Sequence, residues 1–132
     1  MIGIVLVSHS ARLAEGVKEL ADQMTGGTVK IAAAGGGPDG SLGTSAELIR
    51  TALDEVYDTD GVLVLMDLGS AVMSAEVAVE SLDPERAQHV LLSDAPLVEG
   101  AVVASVEASI GKSLQEVEKA AVEAGHMRKV ER

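Results

Sequence analysis

The sequence predicts an α/β fold in which four mainly parallel strands form an open sheet with helices on both faces. Three observations favour it: short branched apolar runs without a helical period, amphipathic helical patterns between them, and an even spacing that leaves room for one helical crossover between successive strands. A flavodoxin-like strand order 2-1-3-4 is the simplest arrangement of four such strands. We expect the 132 residues to form a single domain, 1–132.

The predicted strands are apolar runs that end in turn residues, as strands buried on both faces of a parallel sheet do. They are Ile2–Val7, Val29–Ala33, Val62–Met66 and Val90–Leu92. Gly35, Gly36 and Gly37 follow the second run. Because a helical pattern resumes soon after Gly43, we interpret this glycine-rich segment as a loop rather than a linker. It has neither a GxGxxG spacing nor a following Gly-Lys-Ser/Thr, so a flexible turn is favoured over a phosphate-binding loop.

The first two helices are predicted from apolar residues spaced three or four positions apart. The first helix presents Leu13, Val17, Leu20 and Met24 on one face, and the second presents Ala46, Ile49, Leu53 and Val56. Thr44 and Glu47 form a capping-box pattern, which predicts that the second helix starts directly after Thr44.

Two later segments are apolar around much of their circumference, so we expect both to be well covered and one to line a subunit interface. They are Ala71–Leu82 and Leu97–Ile110. A last helix carries four apolar residues on one face, behind a capping box formed by Ser113 and Glu116. The four apolar residues are Leu114, Val117, Ala121 and Ala124.

The composition excludes several classes of partner. Ten Lys and Arg residues against 21 Asp and Glu give a formal net charge of −11, which repels nucleic-acid backbones and anionic membranes. With Tyr57 but no Trp or Phe, the chain offers bases no stacking platform. The absence of cysteine excludes disulfides and thiolate metal sites. No apolar run approaches the roughly 20 residues of a membrane span, so we expect a cytoplasmic protein that binds neither nucleic acid nor membranes.

Polar residues collect where the predicted strands end, which is the edge at which open parallel sheets bind ligands. The segments after the four strands begin at Ser8, Gly35, Asp67 and Ser93. In the order 2-1-3-4 the first and third strands are neighbours. We therefore expect His9 and Asp67 to face each other across the crevice between them.

A carboxylate that holds one ring nitrogen of a histidine fixes the tautomer and leaves the other nitrogen as a base, ligand or nucleophile. We predict that His9 reacts and that Asp67 orients it. Ser10, Gly69 and Ser70 are candidates for binding phosphate, because backbone N–H groups in turns and at helix starts attract anions. The pattern favours transient phosphoryl contact over a permanent nucleotide site.

The other histidines and the acidic helix residues have plainer interpretations. His89 precedes a strand and His126 lies in the tail, so we interpret both as structural or solvent-facing. Glutamates on the helices, such as Glu118, are interpreted as solvated surface residues. We expect no metal site.

Four segments of the chain resemble the mannose-type IIA family of the phosphoenolpyruvate-dependent phosphotransferase system. They are Ile4–Gly16, Gly43–Ser45, Met66–Ala71 and Ala95–Ala101. The likeness extends from Ile4 to about Leu114, and the motifs VSHS, MDLGSA and APLVEGA are specific in combination. Within the family it is strongest for members that donate phosphoryl groups to a dihydroxyacetone kinase.

This resemblance implies that His9 takes a phosphoryl group from the phosphohistidine of the carrier protein HPr, with Asp67 as its acidic partner. It implies that the group then passes to ADP, held with Mg²⁺ on the nucleotide-binding subunit of the kinase. The chain itself would carry a transient phosphohistidine and no permanent cofactor, and it would form a homodimer. Some family members add HPr-like and enzyme-I-like domains, for which 132 residues leave no room, so we expect separate proteins to supply the phosphoryl group.

Three alternatives stay open. A IIA component of a mannose-type sugar permease would use the same histidine with a different recipient. A Ser-His-Asp hydrolase would use Ser8, Ser10 or Ser70 as its nucleophile, although the G-x-S-x-G pattern of such enzymes is missing. A non-catalytic dimeric regulatory module would keep the fold without being phosphorylated.

Overall fold

The protein consists of a four-stranded sheet with helices packed on both faces. The computed structural model describes residues 1–131. Its strands are β1 (Gly3–Ser8), β2 (Ile31–Gly35), β3 (Val62–Met66) and β4 (Val90–Leu92). Its helices are α1 (Ala11–Thr25), α2 (Ala46–Val56), α3 (Ser70–Glu80), α4 (Pro84–Ala87), α5 (Leu97–Ser109) and α6 (Leu114–Glu123), with a 3-10 turn over Ala124–His126. All strand pairs are parallel and their order is β2-β1-β3-β4, which confirms the predicted class and order.

Strand β1 lies inside the sheet, where Ile4 is opposite Ile31 of β2 and Leu63 of β3. Its side chains alternate between two core layers: Ile4 belongs to the layer under α1, α5 and α6, and Val5 to the layer under α2 and α3. The third and fourth strands have the predicted bounds, whereas β1 and β2 begin and end slightly later than predicted. This shift includes Ser8 in β1 as a fully buried residue.

Helix α1 meets the sheet through small side chains. Its buried residues are Ala14, Val17 and Ala21. The apolar face predicted for this helix is therefore wrong except at Val17, because alanines let the helix lie closer to the sheet than leucines would. The larger apolar residues of that face are 44–54% exposed, namely Leu13, Leu20 and Met24.

Gly35, the last residue of β2, brings that strand against the start of α1. A Cβ at Gly35 would lie 2.5 Å from the carbonyl oxygen of Ser10 and 2.7 Å from Cα of Ala11. Because both atoms belong to the backbone, any larger residue would push the start of α1 away from the sheet. The glycine at this strand end therefore fixes the position of the helix that follows His9.

The two predicted capping boxes have different outcomes. Ser113 and Glu116 form the predicted box at the start of α6. At α2 the prediction is wrong by one residue, because Ser45 is the N-cap and its hydroxyl accepts from the N–H of Leu48. Thr44 lies outside the helix and makes other contacts. The predicted apolar face of α2 is correct, with Ile49, Leu53 and Val56 buried.

Helices α3 and α5 are less covered within this chain than predicted. Met73 and Val77 on α3 are more than half exposed, and Ile110 at the end of α5 is 67% exposed. The short helix α4 was not predicted, although Asp83 at its N-cap and Pro84 in its first turn are typical start signals. Among the helices of residues 1–131, none is both long and apolar enough to cross a membrane.

Candidate active site

His9 and Asp67 lie side by side at the carboxyl ends of β1 and β3. Nδ1 of His9 is 3.0 Å from Oδ1 of Asp67, and the backbone N–H of His9 donates to Oδ2 over 2.9 Å. The predicted proximity of the two side chains is confirmed. Asp67 therefore holds the histidine through both its backbone and its ring, which restricts the position and the orientation of the imidazole.

The Asp67 carboxylate is well satisfied by hydrogen bonds. Besides the two bonds from His9, it accepts from the hydroxyl of Ser8 at 3.0 Å and from the N–H of Leu68 at 2.7 Å. Burial alone would raise the pKa of Asp67, but the bonds from the N–H groups of His9 and Leu68, from Ser8 and from the imidazole outweigh it, and the pKa lies below its ordinary value. Asp67 is therefore ionised at neutral pH.

An ionised carboxylate can only accept hydrogen bonds, and this fixes the tautomer of His9. Nδ1 carries the proton that it donates to Asp67, so in the neutral ring the lone pair is on Nε2. Oγ of Ser70 lies 2.7 Å from Nε2, and in this tautomer the Ser70 hydroxyl is the donor. The imidazole is one-third exposed, so part of the ring is open to solvent.

The start of α3 supplies the anion-attracting groups beside Nε2. Gly69 is the N-cap, with φ 56° and no side chain to cap the helix. Within residues 1–131, the N–H groups of Gly69 and Ser70 make no hydrogen bond. Unsatisfied N–H groups and the positive end of the helix dipole are what a phosphoryl oxygen needs.

Ser10, the third predicted phosphate-binding residue, caps the other helix of the site. Its hydroxyl oxygen accepts from the N–H of Leu13 at the start of α1, and its own N–H donates to Oγ of Ser8 at 3.1 Å. The hydroxyl proton of Ser10 remains able to donate outward. The structure therefore ties Ser10 to the backbone on the His9 side of the crevice.

The sequence interpretation missed two contributors to the site. Ser8 is a possible nucleophile in the hydrolase alternative, but its buried hydroxyl donates to Asp67 and accepts from the N–H of Ser10. The glycine-rich segment was interpreted as a flexible turn, but it is fastened to the site, because the N–H of Gly43 donates to the carbonyl of His9 over 2.9 Å. The sequence does contain a signal for this contact, because Gly43–Ser45 is one of the four segments that resemble the family.

The remaining residues considered in the sequence are the other two histidines and Glu118. His89 packs edge-on against Tyr57 with 6.3 Å between ring centroids, and His126 is exposed. Glu118 is a correction: instead of being a fully solvated residue, it accepts from the buried hydroxyl of Ser93 at 2.7 Å. In residues 1–131, no group of three His, Cys, Asp or Glu side chains is arranged to hold a metal ion.

Fold and site together define a parallel α/β protein with a carboxylate-held histidine at its ligand-binding edge. The sequence model of the family described as PTS system fructose IIA component, EIIA-man, matches residues 3–118. The chain belongs to this family.

Curated relatives carry a more particular name. A protein of Pantoea ananatis named PEP-dependent dihydroxyacetone kinase, phosphoryl donor subunit DhaM, is 49% identical over 120 residues, which cover 89% of this chain and 25% of the relative. A protein of Listeria innocua serovar 6a, the phosphoryl donor subunit DhaM of PEP-dependent dihydroxyacetone kinase 2, is 42% identical over 117 residues and covers 89% and 94% of the two chains. The chain spans about a quarter of the length of the Pantoea relative.

Solved structures agree with the fold. The crystal structure of a protein of unknown function has a TM-score of 0.84 and 39% identity, with 94% of this chain and 95% of that chain covered. The phosphotransferase system component EIIA from Streptococcus agalactiae has a TM-score of 0.71 over 99% and 97% of the two chains. At 17% identity, this second likeness shows the fold alone.

Proposed function

We propose that the chain is a phosphoryl carrier of the phosphotransferase system. Nε2 of His9 takes a phosphoryl group from phospho-HPr and passes it to ADP on the nucleotide-binding subunit of a dihydroxyacetone kinase. Asp67 orients the imidazole, and Ser10, Gly69 and Ser70 contact the phosphoryl oxygens.

One observation supports this proposal above the others: the ionised Asp67 fixes the proton on Nδ1, so the lone pair of His9 is on the nitrogen that faces the uncapped start of α3. Phosphoryl transfer needs little covalent machinery beyond a placed nucleophile and charge compensation. A nitrogen nucleophile beside free N–H groups supplies both.

The chemistry balances without a net proton transfer. The lone pair of Nε2 forms a P–N bond as the P–N bond of the donor phosphohistidine breaks, and the donor ring regains its lone pair. His9 keeps its Nδ1 proton on Asp67 throughout. In the second step an oxygen of the terminal phosphate of ADP attacks phosphorus, the bond to Nε2 breaks, and ATP forms.

The recipient and the assembly are part of the proposal. The names of the curated relatives in Pantoea and Listeria support a dihydroxyacetone kinase as recipient over a sugar permease. ADP and Mg²⁺ belong to the nucleotide-binding subunit, since the crevice of this chain is a transient phosphoryl site. A homodimer is supported by the exposed apolar residues of α3 and α5, among them Val77 and Val106.

A second candidate function has a specific observation in its favour. Ser70, His9 and Asp67 have the spacing of a hydrolase triad, with 2.7 Å between Oγ and Nε2 and 3.0 Å between Nδ1 and Oδ1. Ser70 sits in the first turn of α3 rather than on the sharp strand-to-helix turn of G-x-S-x-G enzymes. The proposal instead gives the Ser70 hydroxyl the role of a donor, first to the lone pair of Nε2 and then to the phosphoryl group.

Phosphorylation with purified components distinguishes these functions. With phosphoenolpyruvate, enzyme I and HPr, we expect one acid-labile phosphoryl group on His9, discharged by ADP only when the nucleotide-binding kinase subunit is added. Ser70→Ala should still be phosphorylated, more slowly, because the nucleophile is intact.

Each alternative has its own outcome in the same experiment. Phosphorylation without discharge to the kinase subunit would favour a permease component, and no phosphorylation at all would favour a regulatory module. Covalent labelling of Ser70 by a serine-hydrolase probe, lost in both Ser70→Ala and His9→Ala, would favour the hydrolase.

A further inference from the structure

Two adjacent residues at the end of the glycine-rich segment between β2 and α2, Gly43 and Thr44, connect the His9 side of the site with α3. The N–H of Gly43 donates to the carbonyl of His9 over 2.9 Å, at the β1 side of the crevice. Oγ1 of Thr44 lies 2.7 Å from Oγ of Ser74 and 3.4 Å from the carbonyl oxygen of Ser70, both in α3. The loop therefore bridges the backbone of the reacting histidine and the helix that carries the hydroxyl held at Nε2.

Thr44 is available for this contact because it does not cap α2. Ser45 takes the N-cap position and accepts from the N–H of Leu48. Gly43 has φ 151°, a backbone conformation that other residues rarely adopt. The next residue is Thr44, whose hydroxyl contacts α3.

The hydroxyl protons can be arranged so that every donor is used. The Ser74 hydroxyl donates to Oγ1 of Thr44, and the Thr44 hydroxyl donates to the carbonyl oxygen of Ser70. Both side chains are half-buried. The hydrogen bond between Thr44 and Ser74 is partly shielded from water, whereas the longer bond from Thr44 to the carbonyl oxygen of Ser70 is exposed. Thr44 and Ser74 thus hold the first turn of α3 at Ser70, and the hydroxyl of Ser70 is 2.7 Å from Nε2 of His9.

We propose that Thr44 is a positioning residue for phosphoryl transfer: through its contact with Ser70 and Ser74, it fixes the start of α3 at the distance from His9 that the transfer requires. The inference rests on the proposed function for its kinetic consequence. Its geometric part, the control of the hydrogen bond between Ser70 and Nε2, stands on the unphosphorylated protein alone.

The expected kinetic consequence follows from alignment. Misplacing reacting groups by about 1 Å costs up to about 100-fold in rate. Removing the Thr44 hydroxyl leaves the contact between Gly43 and His9 in place, so we expect a smaller displacement than that. We expect Thr44→Val to lower the first-order rate constant for phosphoryl transfer to His9 by about 10-fold. The apparent KM for the phosphorylated carrier protein should change by less than about 2-fold, because the half-buried Thr44 is not expected to touch the carrier.

The test compares four variants of the full chain. Thr44→Val removes the hydroxyl and keeps the shape, Thr44→Ser restores the hydroxyl, and Ser74→Ala removes the second hydroxyl. Thr51→Val is the matched control, because Thr51 is an exposed threonine whose hydroxyl bonds to its own helix at Glu47. Rapid-mixing transfer from the phosphorylated carrier gives kcat and KM, and the ¹⁵N chemical shift of Nε2 in the unphosphorylated protein reports the Ser70 hydrogen bond.

We expect Thr44→Val to move the Nε2 shift toward that of a free pyridine-type nitrogen and to lower kcat. Thr44→Ser should restore both, Ser74→Ala should change both less, and Thr51→Val should match the unmodified protein. A change confined to the melting temperature, with shift and kcat unaltered, would overturn the proposal. So would a Thr44→Ser variant as impaired as Thr44→Val.

If Thr44→Val does not fold, an Nε2 shift and kcat left unaltered by Ser74→Ala would also overturn the proposal. Absence of phosphorylation in the unmodified protein would defeat the proposed function, while the Nε2 shift would still decide the placement of Ser70.

Discussion

The carboxyl ends of β1 and β4 share one arrangement, a buried serine hydrogen-bonded to a carboxylate, but only the carboxylate at β1 also binds a histidine. We call these two regions the β1 exit and the β4 exit. At the end of β1, the buried hydroxyl of Ser8 accepts from the N–H two residues further on (3.1 Å) and donates to Asp67 (3.0 Å). After β4, the buried hydroxyl of Ser93 also accepts from the N–H two residues further on (3.0 Å) and donates to Glu118 (2.7 Å). Each serine ties a strand end to a carboxylate distant in the chain.

The two exits share a stabilising hydrogen-bond pattern, but they differ in the residue that follows the serine. His9 follows Ser8, whereas Asp94 follows Ser93, so only the first exit places an imidazole on its carboxylate. The serine–carboxylate brace is therefore a way to stabilise a strand end, and it also occurs where no histidine is bound to the carboxylate. What distinguishes the β1 exit is the histidine and, beside it, the uncapped start of α3.

We expect the largest effect on phosphorylation from removing His9, the residue that distinguishes the β1 exit from the β4 exit. His9→Ala should abolish phosphorylation by the carrier, because the nucleophile is gone, while the Ser8–Asp67 brace remains. The loss should be read by mass spectrometry of the intact protein. His89→Ala is the matched control, since His89 lies against Tyr57 and away from the crevice, and it should be phosphorylated normally.

The second effect concerns the carboxylate that holds the imidazole. Asp67→Asn keeps the shape of the side chain but offers one amide oxygen where the carboxylate offers two, so the tautomer of His9 is no longer fixed. We expect the transfer rate to fall about 100-fold, as orienting partners of reactive histidines do. Single-turnover kinetics measure it. A rate within a factor of about two of the unmodified protein would remove the orienting role from Asp67.

The third effect compares the two braces directly. Ser8→Ala and Ser93→Ala should each lower the free energy of unfolding by about 1–3 kcal/mol, because each leaves a carboxylate and a backbone N–H, part-buried at Ser10 and buried at Ala95, with one partner fewer. Ser8→Ala should also slow transfer by about 10-fold, and Ser93→Ala by less than about 2-fold. Urea unfolding and transfer kinetics on the same samples test both statements. Equal losses of transfer rate in the two variants would contradict the claim that Ser8 contributes to phosphoryl transfer and Ser93 to stability alone.

The smallest effect is a pH dependence of stability at the β1 exit. The pKa of Asp67 is lowered in the fold, so this carboxylate stabilises the protein above its unfolded pKa, and the contribution is lost as the pH falls through the folded value. The difference in unfolding free energy between the unmodified protein and Asp67→Asn should therefore be greatest above about pH 5 and shrink below about pH 4. A difference that is constant across this range would contradict it.

Much of the framework could be predicted from local patterns. The bounds Val62–Met66 are correct because a parallel strand that is buried on both faces is an uninterrupted apolar run. The bounds Val90–Leu92 are correct because this edge strand, although only partly buried, is also an apolar run that ends at a polar residue. The capping box at Ser113 is correct because its signal is entirely local. Placing His9 beside Asp67 needed the strand order, and the order followed from the regular alternation of strand and helix.

The errors arise where packing at a distance decides. Leu13 is exposed while Ala14 is buried, because the sheet selects the small residue for close approach and hydrophobicity alone cannot show this. Thr44 and Ser45 are both suitable N-cap residues, and local sequence does not show that Thr44 has a partner in α3, from another part of the chain. The hydroxyl of Ser70 at Nε2 is likewise a consequence of how α3 is placed.

The most direct measurement of the central claim is the position of the phosphoryl group on the histidine ring. Two-dimensional ¹H–¹⁵N and ³¹P spectra of the phosphorylated, uniformly ¹⁵N-labelled protein distinguish the two ring nitrogens. We predict phosphorus bonded to Nε2 of His9, with a proton retained on Nδ1 and bonded to Asp67. Phosphorus on Nδ1, or on a serine oxygen of the site, would contradict the account.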